Sequence, residues 1–405
     1  MNTDCCIVGG GPAGMMLGLL LARTGVRVVV CEAQRDFDRD FRGDTVHAST
    51  LEVLDQLGLA QRALALPHTK LRMLELHTAT RALRLLDLSL LPSRFRYVAV
   101  MPQARFLQFL CDEASRYPNF ECRFGCGVVD LLRDDERSDR ITGVKLRQDG
   151  EESRLDARLV VAADGRFSRL RKLAGGTADS LGAPMDVAWF RLPRKTGDGY
   201  EGGGFFVGAG QMLVVLGRSD TWQCGYVFPK GGFAELKKAG IEALRAAIRG
   251  VAPWLGERVQ AIEDFHDVHL LNVRGDRLQQ WYLDGLLFIG DAAHVMTPVG
   301  GVGINVAIGD AVETANVLAR PDNPWLAHAR PTLAQLAEIQ RRRMLPTRII
   351  QAVQSNVQRV IVSRALADGE FELPAFARLV LATPGLRRLP LRIMGLGLPR
   401  ARLRA

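Results

Sequence analysis

A glycine-rich turn near the start of the chain, between an apolar strand and an apolar helix, limits the fold more than any other sequence feature. The turn has the spacing Gly-x-Gly-x-x-Gly, at Gly9, Gly11 and Gly14. Residues 5–8 before it predict a strand, residues 15–23 after it predict a helix, and residues 26–31 predict a second strand with the apolar character of a buried parallel one. The segment therefore predicts a βαβ unit and an α/β fold.

The turn also has the features of a dinucleotide-binding loop. Glycines let the backbone approach a pyrophosphate closely, and the phosphate then lies at the positive end of the helix. Pro12 suits a first helical turn, where its missing N–H costs nothing. Glu32 stands eighteen residues after Gly14 and can accept hydrogen bonds from a ribose hydroxyl. The motif does not distinguish NAD from FAD, and a glycine turn that binds no ligand is the alternative.

A second glycine-rich element follows a predicted buried strand at residues 285–289. The strand ends at Asp291, where a carboxylate can hold a ribityl or ribose hydroxyl. The loop that then opens a helix contains Pro298, Gly301, Gly303, Ile304 and Asn305. A helix start presents N–H groups and a positive dipole end, which would stabilise the negative charge of a reduced flavin. A simple NAD dehydrogenase needs no such second site, so this element favours FAD over NAD; a ligand-free glycine loop is the alternative.

A third element follows the predicted buried strand at residues 159–163, where Asp164 and Gly165 begin the pattern Asp-Gly-x-x-Ser-x-x-Arg. By itself an Asp-Gly pair is equally well explained by an ordinary turn. Together, however, the three motifs resemble those of the class A flavoprotein monooxygenases, the family of para-hydroxybenzoate hydroxylase. The resemblance runs from residue 3 to about residue 320, and the motifs follow in the family's order and spacing.

The resemblance implies a doubly wound, Rossmann-like FAD-binding domain interrupted by a mixed β-sheet substrate domain, with a helical C-terminal part. We expect a discontinuous FAD-binding domain at residues 1–72, 98–180 and 268–345. Substrate-binding residues are then expected at 73–97 and 181–267, and a helical region with a basic tail at 346–405. The residue patterns themselves predict a strand over residues 120–132, a hairpin at residues 211–228 and one helix over residues 233–251.

The family pattern also assigns roles to individual residues. It implies that Arg42 meets the FAD phosphates, that Gln103 contacts the cofactor, and that the backbone at Val128 meets adenine. Asp164 falls in a pattern that the family associates with both FAD and the nicotinamide cofactor, and Pro298 falls beside the flavin ring and substrate. Further cofactor contacts are expected at Gly9, Gly11, Pro12, Ala13, Gly14, Glu32, Ala33, Asp291, Gly301, Gly303, Ile304 and Asn305.

The implied activity is monooxygenation with NAD(P)H as co-substrate. In the family, NAD(P)H reduces FAD, the reduced flavin and dioxygen form a C4a-hydroperoxide, and its terminal oxygen is transferred to an aromatic or polyketide-like small molecule. No tyrosine pair matches the phenol-activating residues of para-hydroxybenzoate hydroxylase, so the substrate does not carry over. A flavin-dependent reductase or oxidase on the same fold is the alternative enzyme. A non-catalytic flavin-binding module is the alternative from another class, and the presence of all three motifs argues against it.

Charge is concentrated at the C-terminus. The chain has 53 basic and 44 acidic residues, a net charge of +9, and seven arginines but no acid follow Glu372, which leaves +2 for the rest. We therefore expect no nucleic-acid partner. Two interpretations of the tail remain: short helices that cap the fold with arginines in solvent, which we favour, or a peripheral membrane contact.

Cysteine and histidine usage adds further expectations. The seven cysteines show no disulfide framework and the apolar start lacks a basic leader, so we expect a cytoplasmic protein. The expected oligomeric state is a monomer or a homodimer. No metal is expected, because Cys122 and Cys126 fall in one predicted strand that holds them roughly 13 Å apart. His294 is expected to be structural. His47 lies either near the flavin or on the solvated surface.

Overall fold

The computed structural model describes the 405-residue chain except residues 1, 39–42, 196, 199–202, 321, 324, 328, 368–370, 384, 398–399 and 405. Its larger sheet has a parallel core. In spatial order the core strands are Leu286–Phe288, Glu151–Ala162, Asn2–Val8, Val28–Cys31 and Phe120–Arg123. Antiparallel strands extend this sheet at Tyr282–Leu283, Ile141–Gln148 and Cys126–Arg133.

In the middle of the parallel core both faces are buried, which is why four segments are continuously apolar: residues 5–8, Val28–Cys31, residues 159–162 and Leu286–Phe288. Ile7 and Leu159 point to one face and pack in a common cluster with the helices Pro12–Ala22 and Gly303–Leu318. Cys6 points to the opposite face, which is covered by the antiparallel strands and by Trp281. The predicted α/β fold is confirmed.

The second large sheet joins strands from two separate parts of the chain. Its spatial order is His269–Leu271, Met185–Pro193, Thr221–Pro229, Gln211–Gly217, Gly203–Gly208, Met73–His77 and Ala82–Asp87. Gly203–Gly208 pairs in parallel with Met73–His77, and the predicted hairpin at residues 211–228 is present as an antiparallel pair. Two further sheets have three strands each. Their strands are Thr45–Val46, Thr69–Leu71 and Val98–Val100, and Ala178–Ser180, Asp276–Leu278 and His294–Val295.

Along the chain, the remaining helices either connect strands or fall in the last third of the sequence. Those before residue 260 are Ala48–Gln56, Ala60–Leu64, Gln103–Ala114, Arg169–Leu173, Phe233–Ala239 and Ile241–Val251. The later ones are Leu333–Val357, Ser363–Ala365, Ala375–Ala382 and Arg388–Leu396. Within the described residues, we find no helix with the length and apolar character needed to span a membrane.

Two elements differ from the sequence predictions. One helix was expected over residues 233–251, but Gly240 divides it, because its φ of +88° is incompatible with a continuous helix. One strand was expected over residues 120–132, but a turn with Gly125 at φ +64° separates it into two strands that pair with different neighbours. In both places a single glycine breaks an otherwise regular pattern.

Candidate functional site

The three motifs lie beside one another because they follow neighbouring parallel strands at the same edge of the sheet. Gly9 has a φ of +105°, and a Cβ on it would lie 2.4 Å from the carbonyl oxygen of Ala163, so only glycine permits this approach to the Asp164 turn. Gly290 has a φ of +58°, and a Cβ on it would lie 3.1 Å from the Cβ of Ala13. The first motif therefore contacts both of the others, at the edge where ligands of open α/β sheets bind.

Glu32 directly follows the strand Val28–Cys31 and is buried. Its Oε2 accepts the N–H of Gly10 at 2.7 Å, and its Oε1 accepts the N–H of Gln34 at 3.0 Å. A carboxylate has about four acceptor positions, so a ribose hydroxyl can share this group with the loop. The neighbouring Ala33 is exposed at the same strand end.

Two helices begin at this edge without a side-chain cap. Pro12–Ala22 follows Gly11, Gly303–Leu318 follows Val302, and neither helix has an acidic residue in its first turn. A Cβ added to Gly11 or to Gly303 would meet no described atom within 4 Å. Each start therefore presents N–H groups and a positive dipole end toward open space. This arrangement fits FAD, which has a diphosphate for one helix start and a flavin ring that becomes negative on reduction for the other.

Asp164 organises its own turn. Its Oδ1 accepts the hydroxyl of Ser168 at 2.6 Å and its Oδ2 accepts the N–H of Leu170 at 3.0 Å. Ser168 in turn caps the helix Arg169–Leu173 by accepting the N–H of Arg171. Burial raises the pKa of Asp164, and these hydrogen bonds oppose that effect. The Asp-Gly-x-x-Ser-x-x-Arg pattern is thus a capped turn that also contacts Gly9.

A buried carboxylate that the sequence analysis missed supports the Gly290–Asp291 turn. Asp310 accepts the N–H of Gly290 at 2.9 Å, lies 2.6 Å from Nε2 of His294, and accepts Nε of Arg343 at 2.6 Å. Burial favours the neutral carboxyl, but the charges of His294 and Arg343 outweigh it and lower the pKa of Asp310 to about 2. His294 is structural, as expected. Asp291 itself is partly exposed, with its Oδ2 3.9 Å from Nε of Arg166.

The segment after residue 43 packs against the second helix start. Thr45 donates its hydroxyl to the carbonyl oxygen of Gly301 at 2.7 Å. Oδ1 of Asn305 accepts the N–H of His47 at 3.0 Å and the hydroxyl of Thr50 at 2.7 Å. Ile304 lies against Gly43, where an added Cβ would be 3.5 Å from its Cδ1.

His47 is buried, which excludes the second of its two expected locations, the solvated surface. Burial lowers its pKa to about 4, against an opposing effect of the nearby backbone at Met394, Gly301 and Gly300. Neither ring nitrogen makes a hydrogen bond of normal geometry to the described residues. His47 therefore adjoins the Gly300–Gly301 turn as a neutral side chain. Arg42, the expected phosphate contact, lies outside the described residues.

The other predicted residues surround this edge. Gln103 begins its helix with its N–H 3.3 Å from Oδ1 of Asp44. Val128 is buried in the strand Cys126–Arg133, whose first N–H binds the carbonyl oxygen of Glu32 at 2.9 Å. Pro298 precedes the short turn Val299–Gly301.

Two long-range contacts, which the sequence did not predict, stabilise the segments around this edge of the sheet. Nε2 of Gln354 donates to the carbonyl oxygens of Thr297 and Val299, each at 2.8 Å, and so holds both sides of Pro298. Arg218, on the hairpin of the second sheet, forms a buried ion pair with Asp44. Burial lowers the pKa of Arg218. The second sheet therefore reaches the segment that borders Gln103 and Thr45. Buried polar side chains in mainly apolar elements were the available signal, but sequence alone does not pair them.

The sequence resembles known flavoproteins along most of its length. Residues 2–353 match a family model described as FAD binding domain. The 6-methylpretetramide 4-monooxygenase of Streptomyces rimosus is 33% identical over 399 residues, covering 97% of this chain and 92% of that protein. The para-nitrophenol 4-monooxygenase of Pseudomonas sp. (strain WBC-3) is 26% identical over 329 residues, covering 77% of this chain and 76% of that protein. Among solved structures, PqsL of P. aeruginosa in complex with 2-aminobenzoylacetate has a TM-score of 0.76 at 24% identity, covering 90% of this chain and 99% of that one, a likeness in fold.

Proposed function

The chain belongs to the class A FAD-dependent aromatic hydroxylases, and we propose that it uses NAD(P)H and dioxygen to hydroxylate an aromatic or polyketide-like small molecule. The observation that carries the proposal is the pair of uncapped helix starts, at Pro12 and at Gly303, that face open space on one sheet edge. The substrate class is supported by relatives whose names specify para-nitrophenol and 6-methylpretetramide. When bound, FAD supplies the oxygen activation, by the C4a-hydroperoxide route that the family resemblance implies.

Each part of the chain has a distinct role in this proposal. The Gly9–Gly14 loop binds the diphosphate, and Glu32 accepts a hydrogen bond from the adenosine ribose. Asp164 and Asp291 bind the cofactor from the ends of the two neighbouring strands. The N–H groups of Gly303, Ile304 and Asn305 stabilise negative charge on the flavin, while Pro298 forms a wall that excludes water from the reacting face.

The proposal extends to the co-substrate and to the arrangement of domains. The sequence has one dinucleotide fingerprint, so NAD(P)H binds transiently and has no Rossmann domain of its own. The second sheet, which unites residues 73–87 with residues 185–271, covers the substrate, and the ion pair between Arg218 and Asp44 links it to the flavin region. We place the enzyme in the cytoplasm, as a monomer or homodimer.

The direct test is purification followed by an oxygen-labelling assay. The protein should be yellow, and some members of a panel of aromatic compounds should stimulate its oxidation of NADH or NADPH. The product should then carry one oxygen atom from isotopically labelled dioxygen. Label that enters from water instead, or NAD(P)H oxidation that no compound on the panel stimulates, would contradict the proposed hydroxylation.

A further inference from the structure

The tail exposes a group of large apolar side chains. Four of the eight large apolar residues that are exposed in the described part of the chain fall within residues 376–389. They are Phe376, Leu379, Leu386 and Leu389, with exposed fractions of 57%, 61%, 45% and 55%. No side chain of the helix Ala375–Ala382 is fully buried. Single exposed leucines are ordinary on protein surfaces, but four large apolar side chains exposed so close together along the chain favour a contact surface.

Exposed arginines lie among these apolar side chains. They are Arg378, Arg387, Arg388 and Arg392, and none of them has an acidic partner among the described residues. The arginines nearer the C-terminus differ, since Arg400 lies 3.8 Å from Glu52 and Arg404 lies 3.6 Å from Glu313. No acidic residue follows Glu372. The surface therefore combines apolar side chains with four positive charges that the fold does not neutralise; we call these eight residues the C-terminal surface.

From Leu391 onward the chain is attached to the body of the protein, although the side chain of Arg392 remains exposed. Leu391 and Leu396 are buried in the main hydrophobic core. Leu403 donates its N–H to Oε1 of Gln56 at 3.0 Å, and Arg404 donates its N–H to Oδ1 of Asn316 at 2.9 Å. The favoured interpretation of the tail, a set of helices that cap the fold, therefore describes residues 391–404 but not residues 376–389.

We propose that the C-terminal surface binds the surface of an anionic lipid membrane. Apolar side chains beside basic ones are the composition of interfacial membrane contacts, in which the former enter the boundary between headgroups and acyl chains and the latter meet anionic headgroups. A nucleic acid would pair with the arginines but leave the apolar side chains in water. A second copy of the chain, docked through the same surface, would bring two sets of four arginines together, and like charges repel.

Vesicle sedimentation with the purified full-length flavoprotein tests the proposal. The wild-type protein should sediment with phosphatidylcholine vesicles that contain phosphatidylglycerol, but not with phosphatidylcholine alone. Raising the salt to about 1 M, where the screening length is about 3 Å, should release it. Because each arginine near an anionic surface contributes about fivefold, Arg387→Gln with Arg388→Gln should weaken binding about 25-fold. Leu379→Ser with Leu386→Ser should also reduce binding.

Matched substitutions elsewhere separate this surface from general effects. Leu345→Ser removes another exposed leucine and Arg341→Gln another exposed arginine, both on the helix Leu333–Val357, and neither should change vesicle binding. Equal flavin content in all variants would establish that they fold. Absence of wild-type binding to the anionic vesicles, or equal losses in the Leu345 and Arg341 variants, would overturn the proposal. So would sedimentation equilibrium showing a lipid-free dimer that the Leu379/Leu386 variant dissociates, because that result would identify a second copy as the partner.

Discussion

The carboxylate of Glu32 accepts the backbone N–H of Gly10 at 2.7 Å and so joins the end of the second parallel strand to the glycine loop. In the proposed site the same carboxylate also accepts a ribose hydroxyl, a charge-assisted bond that contributes about 1.5–3 kcal/mol. Glu32→Ala should therefore weaken FAD binding by roughly 10- to 150-fold. Titration of FAD into apoprotein measures this. Glu32→Gln is the control for charge. Because it retains an acceptor oxygen, its affinity for FAD should fall between those of the wild-type protein and Glu32→Ala. Unchanged affinity in Glu32→Ala would reject the ribose contact.

A substitution at Gly11 should impair cofactor binding without impairing folding. A Cβ on Gly11 would meet no described atom within 4 Å, whereas a Cβ on Gly14 would lie 2.0 Å from the carbonyl oxygen of Gly9. Gly11→Val should thus fold but fill the space proposed for the diphosphate, and the protein should purify largely colourless. Gly208→Val is a matched control, since Gly208 also has open space around its Cβ position and lies in the second sheet. A fully flavin-loaded Gly11→Val protein would argue against this location.

His47 makes stability depend on pH. Its pKa is about 4 in the folded protein, because burial disfavours the charged ring, against about 6.5 when exposed. Between these values the unfolded chain binds more protons, so the contribution of His47 is complete above about pH 6.5 and is lost as the pH falls toward 4, with a loss of about 3 kcal/mol at pH 4.

Urea unfolding of wild-type and His47→Leu apoproteins across this pH range isolates the effect of the histidine from other titrating groups. The wild-type free energy of unfolding should fall relative to that of the variant by about 3 kcal/mol between pH 7 and pH 4, and the difference should be constant above pH 7. A difference that stays constant down to pH 4 would mean that His47 is not buried in the neutral form.

Local requirements on the backbone conformation could be predicted from the sequence. Gly9 needs its φ of +105° and Pro12 occupies the first helical turn, as the motif predicts, because each constraint acts within a few residues. The α/β fold followed from the same elements. Gly240 shows the limit, since its position inside an apolar helical pattern gave no indication that it would adopt a positive φ.

Pairings between side chains that are distant along the chain could not be predicted from the sequence. Asp310 and Arg343 lie on different helices, and Asp44 and Arg218 adjoin strands of different sheets. Burial of charge requires such partners, but which partner is supplied depends on the tertiary arrangement and not on local spacing. Asn305 illustrates the same point within a motif: its position at a helix start was predicted, whereas its side-chain bonds to His47 and Thr50 were not.

Gly303→Asp tests whether the second helix start borders the flavin. The substitution adds a carboxylate on a Cβ that would meet no described atom within 4 Å, so the fold should tolerate it. Two negative charges about 4 Å apart repel by about 4 kcal/mol at an effective dielectric constant near 20, and solvent and flavin mobility reduce this value. The flavin potential should fall, and reduction by NAD(P)H should slow. Gly303→Asn adds similar bulk without charge and should change the potential much less; equal potentials in both variants would separate this helix start from the flavin.

Pro298→Gly should affect the coupling of NAD(P)H oxidation to hydroxylation more than flavin reduction. Pro298 stands between two carbonyl groups, of Thr297 and Val299, that Gln354 holds at 2.8 Å. The substitution removes the proposed wall and frees the local backbone, at a cost to stability of about 0.4–1 kcal/mol. With an accepted substrate, the variant should consume NAD(P)H at nearly the wild-type rate but release more hydrogen peroxide and form less hydroxylated product per turnover. Gln354→Leu, which leaves Pro298 in place but removes both hydrogen bonds, should shift coupling in the same direction. Full coupling in both variants would show that this loop does not shield the reacting face of the flavin.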